Sequence, residues 1–159
     1  MSLDLAFQSA TELARRLRRR ELSAVELLQH YLRRIERLNP AINAVVVLDA
    51  DRALQRARAA DAALDRGEVW GPLHGLPMTV KESFDLQGQP TTWGFESQRG
   101  NIARRPALAV QRLLAAGAVI FGKTNAPELG IKGITDNPVY GTTNNPWDVA
   151  RGAGGSSGG

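Results

Sequence analysis

Three features of the sequence predict an α/β fold. Two capping boxes, Ser9-Ala10-Thr11-Glu12 and Ser23-Ala24-Val25-Glu26, each lead into apolar residues at helical spacing. A β-branched run, Ala44-Val45-Val46-Val47-Leu48, has the composition of a buried strand. Beyond residue 70, a strand, a helix and a second strand follow one another, the order that places helices against a sheet.

Taken along the chain, the first helix starts after Ser9, buries Ala10, Leu13, Ala14 and Leu17, and reaches about Arg20. The second carries Leu27, Leu28, Tyr31, Leu32, Ile35 and Leu38 on one side. Asn39-Pro40 is expected to close it, because a residue before proline avoids the α region. A third, alanine-rich helix covers Asp51 to Asp65, with Gly67 placed for a C-terminal cap. Gly71-Pro72-Leu73-His74-Gly75-Leu76-Pro77 is a turn-rich approach to Met78-Thr79-Val80-Lys81, which alternates as the end of a strand does. Pro106 opens a further helix that Leu108 to Ala116 fill, and Gly117 ends it before the apolar strand Ala118-Val119-Ile120-Phe121. After Thr124 the chain is rich in Asn, Pro, Gly and Thr, the composition of a long functional loop. The organisation expected is one domain over 1–159, with a helical region over 1–70 and a sheet and active-site region over 71–159.

Composition excludes several chemistries. There is no cysteine, and only His30 and His74 are present, so neither a thiolate nor a histidine-rich metal site is expected. The formal charge is +4, and five arginines crowd Arg15-Arg16-Leu17-Arg18-Arg19-Arg20. No aromatic residues interleave with them to stack on bases, so a solvated helix face is expected rather than a nucleic-acid surface. No basic segment leads into a long apolar run at the N-terminus, which predicts a cytoplasmic protein without membrane contact.

Gly117-Ala118-Val119-Ile120-Phe121-Gly122-Lys123-Thr124 satisfies the letters of a phosphate-binding P-loop. The physics of that motif requires a strand before the first glycine, a loop between the glycines and a helix after the threonine. Here a helix comes first and the intervening residues form a strand, so a nucleotide binder is kept only as a disfavoured alternative.

Lysine is scarce in this arginine-rich chain, occurring at Lys81, Lys123 and Lys132. Lys81 closes a strand beside a Gly/Pro-rich segment, and at the far end Gly154-Gly155-Ser156-Ser157-Gly158-Gly159 presents paired hydroxyls on a nearly bare backbone. A lysine amine can replace histidine as the base that activates a serine, and desolvation favours its neutral form.

Four motifs then occur in one order: Gly75-Leu76-Pro77-Met78-Thr79-Val80-Lys81-Glu82, Gly122-Lys123-Thr124-Asn125-Ala126-Pro127-Glu128, Asn145-Pro146-Trp147-Asp148, and the terminal Gly154 to Gly159. Together they resemble the amidase signature family. The resemblance implies the N-terminal part of an α/β/α sandwich around a mixed sheet, and an amide-bond hydrolase with a Ser, cis-Ser, Lys triad. Carried across residue by residue, Lys81 matches the family lysine and Ser156 the bridging serine with its cis peptide bond. Ser157 would be a hydrogen-bonding neighbour, and Gly133, Ile134 and Thr135 in the following loop would border the substrate. The substrate implied is a small-molecule amide, and neither a metal nor an organic cofactor is called for. The family's nucleophilic serine belongs beyond Ser156, so the chain is expected to be truncated before it and inactive by itself.

The wording of the loop separates two branches of the family. The A-type subunits of tRNA-dependent amidotransferases read Met-Asp-Glu and Ser-Ser-Thr-Glu-Asn where this chain has Ala126-Pro127-Glu128 and Gly133-Ile134-Thr135-Asp136-Asn137. A stand-alone amidase is therefore the expectation, and an aminoacyl-tRNA amidotransferase of that type is the alternative. A non-catalytic interaction module using exposed apolar surface is a further rival.

Overall fold

The computed structural model describes residues 5–159. After a 3-10 turn at Leu5–Phe7 come helices α1 (Ala10–Arg18) and α2 (Ala24–Ile42), strand β1 (Val45–Leu48), helix α3 (Ala50–Asp65) and strand β2 (Pro77–Lys81). Helix α4 (Leu108–Ala115), strand β3 (Val119–Thr124) and a hairpin of β4 (Asn144–Asn145) and β5 (Asp148–Gly152) complete it. The sheet order is β1-β3-β2, with β1 antiparallel to β3. Val119 N donates to Leu76 O and Glu82 N to Thr124 O, so β2 and β3 advance together in parallel and the sheet is mixed.

The chain forms two compact units that do not divide at residue 70. The first comprises the segment ending at Arg34 with Asp49–Met78 and Gln111–Phe121; the second comprises Ile35–Leu48, Thr79–Val110 and Gly122–Gly159. Chain order therefore does not separate helices from sheet: most of α4 and the first half of β3 return to the unit that holds α1 and α3.

In the first unit the core is aliphatic. Leu13 and Leu17 of α1, Leu27 and Leu28 of α2, and Ala53, Ala57, Ala60 and Ala63 of α3 are all buried. Alanine at that spacing presents a smooth face against which neighbouring chain packs closely. Ser9 caps α1 by accepting from Glu12 N, but the Glu12 carboxylate turns to Arg15 instead of closing the box. At α2 the box is reciprocal: Ser23 N donates to Glu26 Oε2 at 2.9 Å and Glu26 N to Ser23 Oγ at 3.1 Å. Buried His74 accepts from Trp70 N at Nδ1 and faces Ala60 O through Nε2, so the proton sits on Nε2. Gly117 ends α4 at φ +99°, where a Cβ would lie 2.7 Å from the His74 Cα.

Three sequence expectations are corrected. Helix α2 continues through Pro40 to Ile42, because a proline in the last turn loses one amide bond and crowds one carbonyl with only two residues left to follow; it ends at Asn43, at φ 55°, whose N–H reaches Asn39 O. Strand β1 is half-buried to exposed rather than buried, since it is an edge strand. Strand β3 runs on past Phe121 to Thr124, because Gly122 and Lys123 pair with Leu48 and Val47. Gly122 allows that approach: a Cβ there would sit 2.6 Å from Val47 O.

Candidate active site

Most large, fully buried side chains of the second unit are polar: Lys123, Glu82, Asn125, Thr92, Thr135 and Thr143. Burying such groups stabilises a fold only when every one is hydrogen-bonded, and here they are bonded to one another and to loop backbone. Two of them adjoin the residues singled out by the sequence: Glu82 follows Lys81 directly, and Thr135 bonds to Gly154, two residues before Ser156.

Lys81 ends β2, and the glycine-framed segment brings Ser156 to it across 75 positions, with Nζ 3.3 Å from the serine Oγ. Both residues are half-buried. Close packing of the segment explains its glycines. Gly154 has φ +87°, and a Cβ on Gly155 would lie 2.7 Å from Lys132 O. One on Gly158 would overlap the Thr135 hydroxyl. The Gly155–Ser156 peptide is cis. Ser157 is exposed beside it.

The loop residues expected to border substrate separate into two kinds. Gly133 and Ile134 are exposed, and Ile134 N and Gly133 C lie against Gly155. Thr135 is 0% exposed and points inward, its hydroxyl donating to Gly154 O at 2.7 Å. Around it, Asn137 Nδ2 donates to Asn125 Oδ1 at 2.7 Å, and Asn125 Nδ2 donates to Thr143 Oγ1 at 3.0 Å. The Asn- and Thr-rich stretch after Thr124 is thus an ordered loop cross-braced by side-chain amides, finished by the β4–β5 hairpin.

Glu82, the next residue along the chain after β2, is not singled out by sequence reasoning. It is 1% exposed, and its carboxylate accepts from Thr92 N at 2.6 Å, Trp93 N at 2.9 Å and Tyr140 OH at 3.2 Å. The available signal is strand alternation: if Lys81 turns to one side, Glu82 turns to the other, and an acid in that position needs donors. Burial, seconded by the Glu82 charge, pushes the Tyr140 phenol up to about 12.

Lys123 is also fully buried, donating to Thr91 Oγ1 at 2.9 Å and to Pro90 O. Burial lowers its amine to about 8, against the opposing pull of Glu82 and Asp85. Its partners are protein groups and it lies within β3, preceded by α4 and a turn, so the P-loop lettering corresponds to no phosphate cradle. Among the described residues, no three His, Cys, Asp or Glu side chains assemble as metal ligands. No helix among them is long and apolar enough to cross a membrane.

The structure thus holds a lysine amine at a serine hydroxyl, on a glycine-walled turn beside the end of β2. The chain belongs to the amidase family, whose model, described as Amidase, matches residues 26–159. It is 46% identical over 156 residues to the A-type subunit of the glutamyl-tRNA(Gln) amidotransferase of Acidothermus cellulolyticus, covering 98% of this chain and 31% of that protein. It is 42% identical to an acylamidase of Rhodococcus erythropolis, covering 97% of this chain and 32% of the relative. Among solved structures, fatty acid amide hydrolase superposes with a TM-score of 0.91 at 30% identity, over 97% of this chain and 27% of its own. The peptide amidase of Stenotrophomonas maltophilia superposes with a TM-score of 0.88 at 33% identity, over 96% and 33%. The chain thus spans about a third of the length of the relatives it matches.

Proposed function

We propose that the Lys81–Ser156 pair is the proton relay of an amide-bond hydrolase acting on small-molecule amides, with the attacking serine supplied from outside residues 1–159. The observation that carries this reading is the 3.3 Å separation of Nζ and Oγ in a chain of the amidase family. In the neutral state the Lys81 amine takes the Ser156 proton as Ser156 takes that of the nucleophile, whose oxygen then bonds the amide carbonyl carbon. As the C–N bond breaks, the relay runs in reverse and delivers the proton to the leaving nitrogen, releasing ammonia or an amine. Water then adds to the acyl-enzyme ester through the same pair, freeing the acid and restoring the serine. Ser157 and the exposed Gly133 and Ile134 flank the approach to the pair, and a cytoplasmic location belongs to the same reading.

The test is ammonia or amine release from a panel of alkyl and aryl amides by the chain extended through the coding sequence after codon 159. Turnover is expected, and Lys81→Ala or Ser156→Ala should each lower kcat by about 10²–10⁴-fold, the usual contribution of positioned proton transfer. Residues 1–159 alone should be inactive. Absence of amide hydrolysis in the extended protein, or hydrolysis indifferent to both substitutions, overturns the reading.

The 46% identity to an amidotransferase of the glutamyl-tRNA type favours a second reading, in which glutamine is the amide and a tRNA-bound glutamyl group the acceptor. The Ala126-Pro127-Glu128 and Gly133-Ile134-Thr135 wording supports the stand-alone enzyme instead. Glutamine hydrolysis stimulated by glutamyl-tRNA would reverse that preference.

A further inference from the structure

We infer that Thr135 is a positioning residue: its buried hydroxyl clamps the glycine turn at Gly154 and thereby holds the Ser156 hydroxyl at Lys81. The hydroxyl donates to Gly154 O at 2.7 Å, two residues before Ser156. Its backbone is tied to the same strap from the other side, since Thr143 N donates to Thr135 O at 2.9 Å and Ala153 N to Thr143 O at 3.0 Å. On the return limb of the turn, Gly158 leaves no room for a Cβ against the same hydroxyl. One threonine therefore touches both limbs of the turn that carries Ser156, while remaining 0% exposed. A six-residue segment containing four glycines has little side chain of its own to hold a conformation, so its geometry has to come from outside contacts.

The consequence for turnover rests on the amidase reading; the geometric claim does not. In the 159-residue chain labelled with ¹⁵N-lysine, the Lys81 Nζ resonance is assigned by its loss in Lys81→Arg and checked by its movement in Ser156→Ala. Thr135→Val, which keeps shape and removes the donor, should displace that resonance toward its position in Ser156→Ala, and Thr135→Ser should restore it. Thr143→Val is the matched comparison: it removes a buried hydroxyl that donates to Asn43 O at 2.7 Å and accepts from Asn125 Nδ2 at 3.0 Å, but keeps the backbone bonds to Thr135 and Ala153, so it lowers stability without moving the resonance. If Thr135→Val does not fold, Thr135→Ala, which removes the same donor without adding bulk, should produce the same displacement. In the extended protein Thr135→Val should lower kcat by about 100-fold, the effect of a misplacement near 1 Å, with KM within about twofold. A Lys81 resonance unmoved by Thr135→Val and Thr135→Ala, or moved equally by Thr143→Val, overturns the inference. If the extended wild-type protein hydrolyses no amide, the functional reading fails while the resonance still decides the role of Thr135.

Discussion

Removing the Glu82 carboxylate should cost more stability than any other single polar truncation in the second unit. The side chain is 1% exposed and is the acceptor for Thr92 N, Trp93 N and the Tyr140 hydroxyl. Glu82→Ala leaves two backbone amides and a phenol facing the space that the carboxylate filled. An unsatisfied buried donor costs about 1–3 kcal/mol, so the two amides and a lost tyrosine bond of about 1 kcal/mol give about 3–7 kcal/mol together. Against a total stability of about 5–15 kcal/mol, that change moves the unfolding midpoint far outside experimental scatter. Glu82→Gln is the sharper variant. It keeps the shape and one acceptor oxygen but turns an NH₂ toward an N–H donor, which sets the loss at about 2 kcal/mol. Tyr140→Phe removes only the third bond, at about 1 kcal/mol. Urea denaturation followed by circular dichroism, at unchanged m, should therefore rank Tyr140→Phe above Glu82→Gln above Glu82→Ala in stability. A Glu82→Ala protein within about 1 kcal/mol of wild type by this assay, below the lowest cost of a single orphaned donor, would refute the reasoning.

Stability should rise with pH between about 8 and 10, because the Lys123 amine is held at about 8 when folded and returns to 10.5 when unfolded. In that window the unfolded chain binds the extra proton, so the slope of unfolding free energy is positive. The whole shift corresponds to at most about 3–4 kcal/mol, and burial is its main cause. Tyr140 acts in the opposite sense only above pH 10, since its folded phenol is raised to about 12. Urea midpoints across the window should climb in wild type and stay level in Lys123→Met; parallel curves would dismiss the account. In the first unit, Arg56 donates to Ala118 O at 2.7 Å and Leu114 O at 2.6 Å, and stacks 5.0 Å from the Trp70 ring centroid. Arg56→Met should cost about 2 kcal/mol in urea by stranding both carbonyls at the α4–β3 turn, and a loss below about 0.5 kcal/mol would count against that bracing role.

Lys81 and Ser156 can be read from the chain because each is chemically conspicuous where it stands: a rare lysine at a strand end, and hydroxyls framed by glycine. Both capping serines, the alanine face of α3 and the false P-loop are legible for the same reason, since their physics is local. What escapes is everything whose meaning lies in a partner distant along the chain. Glu82 reads as an ordinary charged residue after a strand until Thr92, Trp93 and Tyr140 supply its donors. Asn125 and Asn137 read as turn formers, and Asn137 does cap its own loop through Val139 N and Tyr140 N, but its amide also crosses to Asn125. Strand β3 runs past its apolar stretch because β1 offers pairing partners that periodicity within β3 cannot reveal. Thr135 shows the difference most clearly: assigned by resemblance to a loop bordering the substrate, it turns away from solvent and toward Gly154. The Ser156 hydroxyl is conspicuous in the sequence, but its place beside Lys81 goes with contacts from residues whose sequence signature is that of a loop.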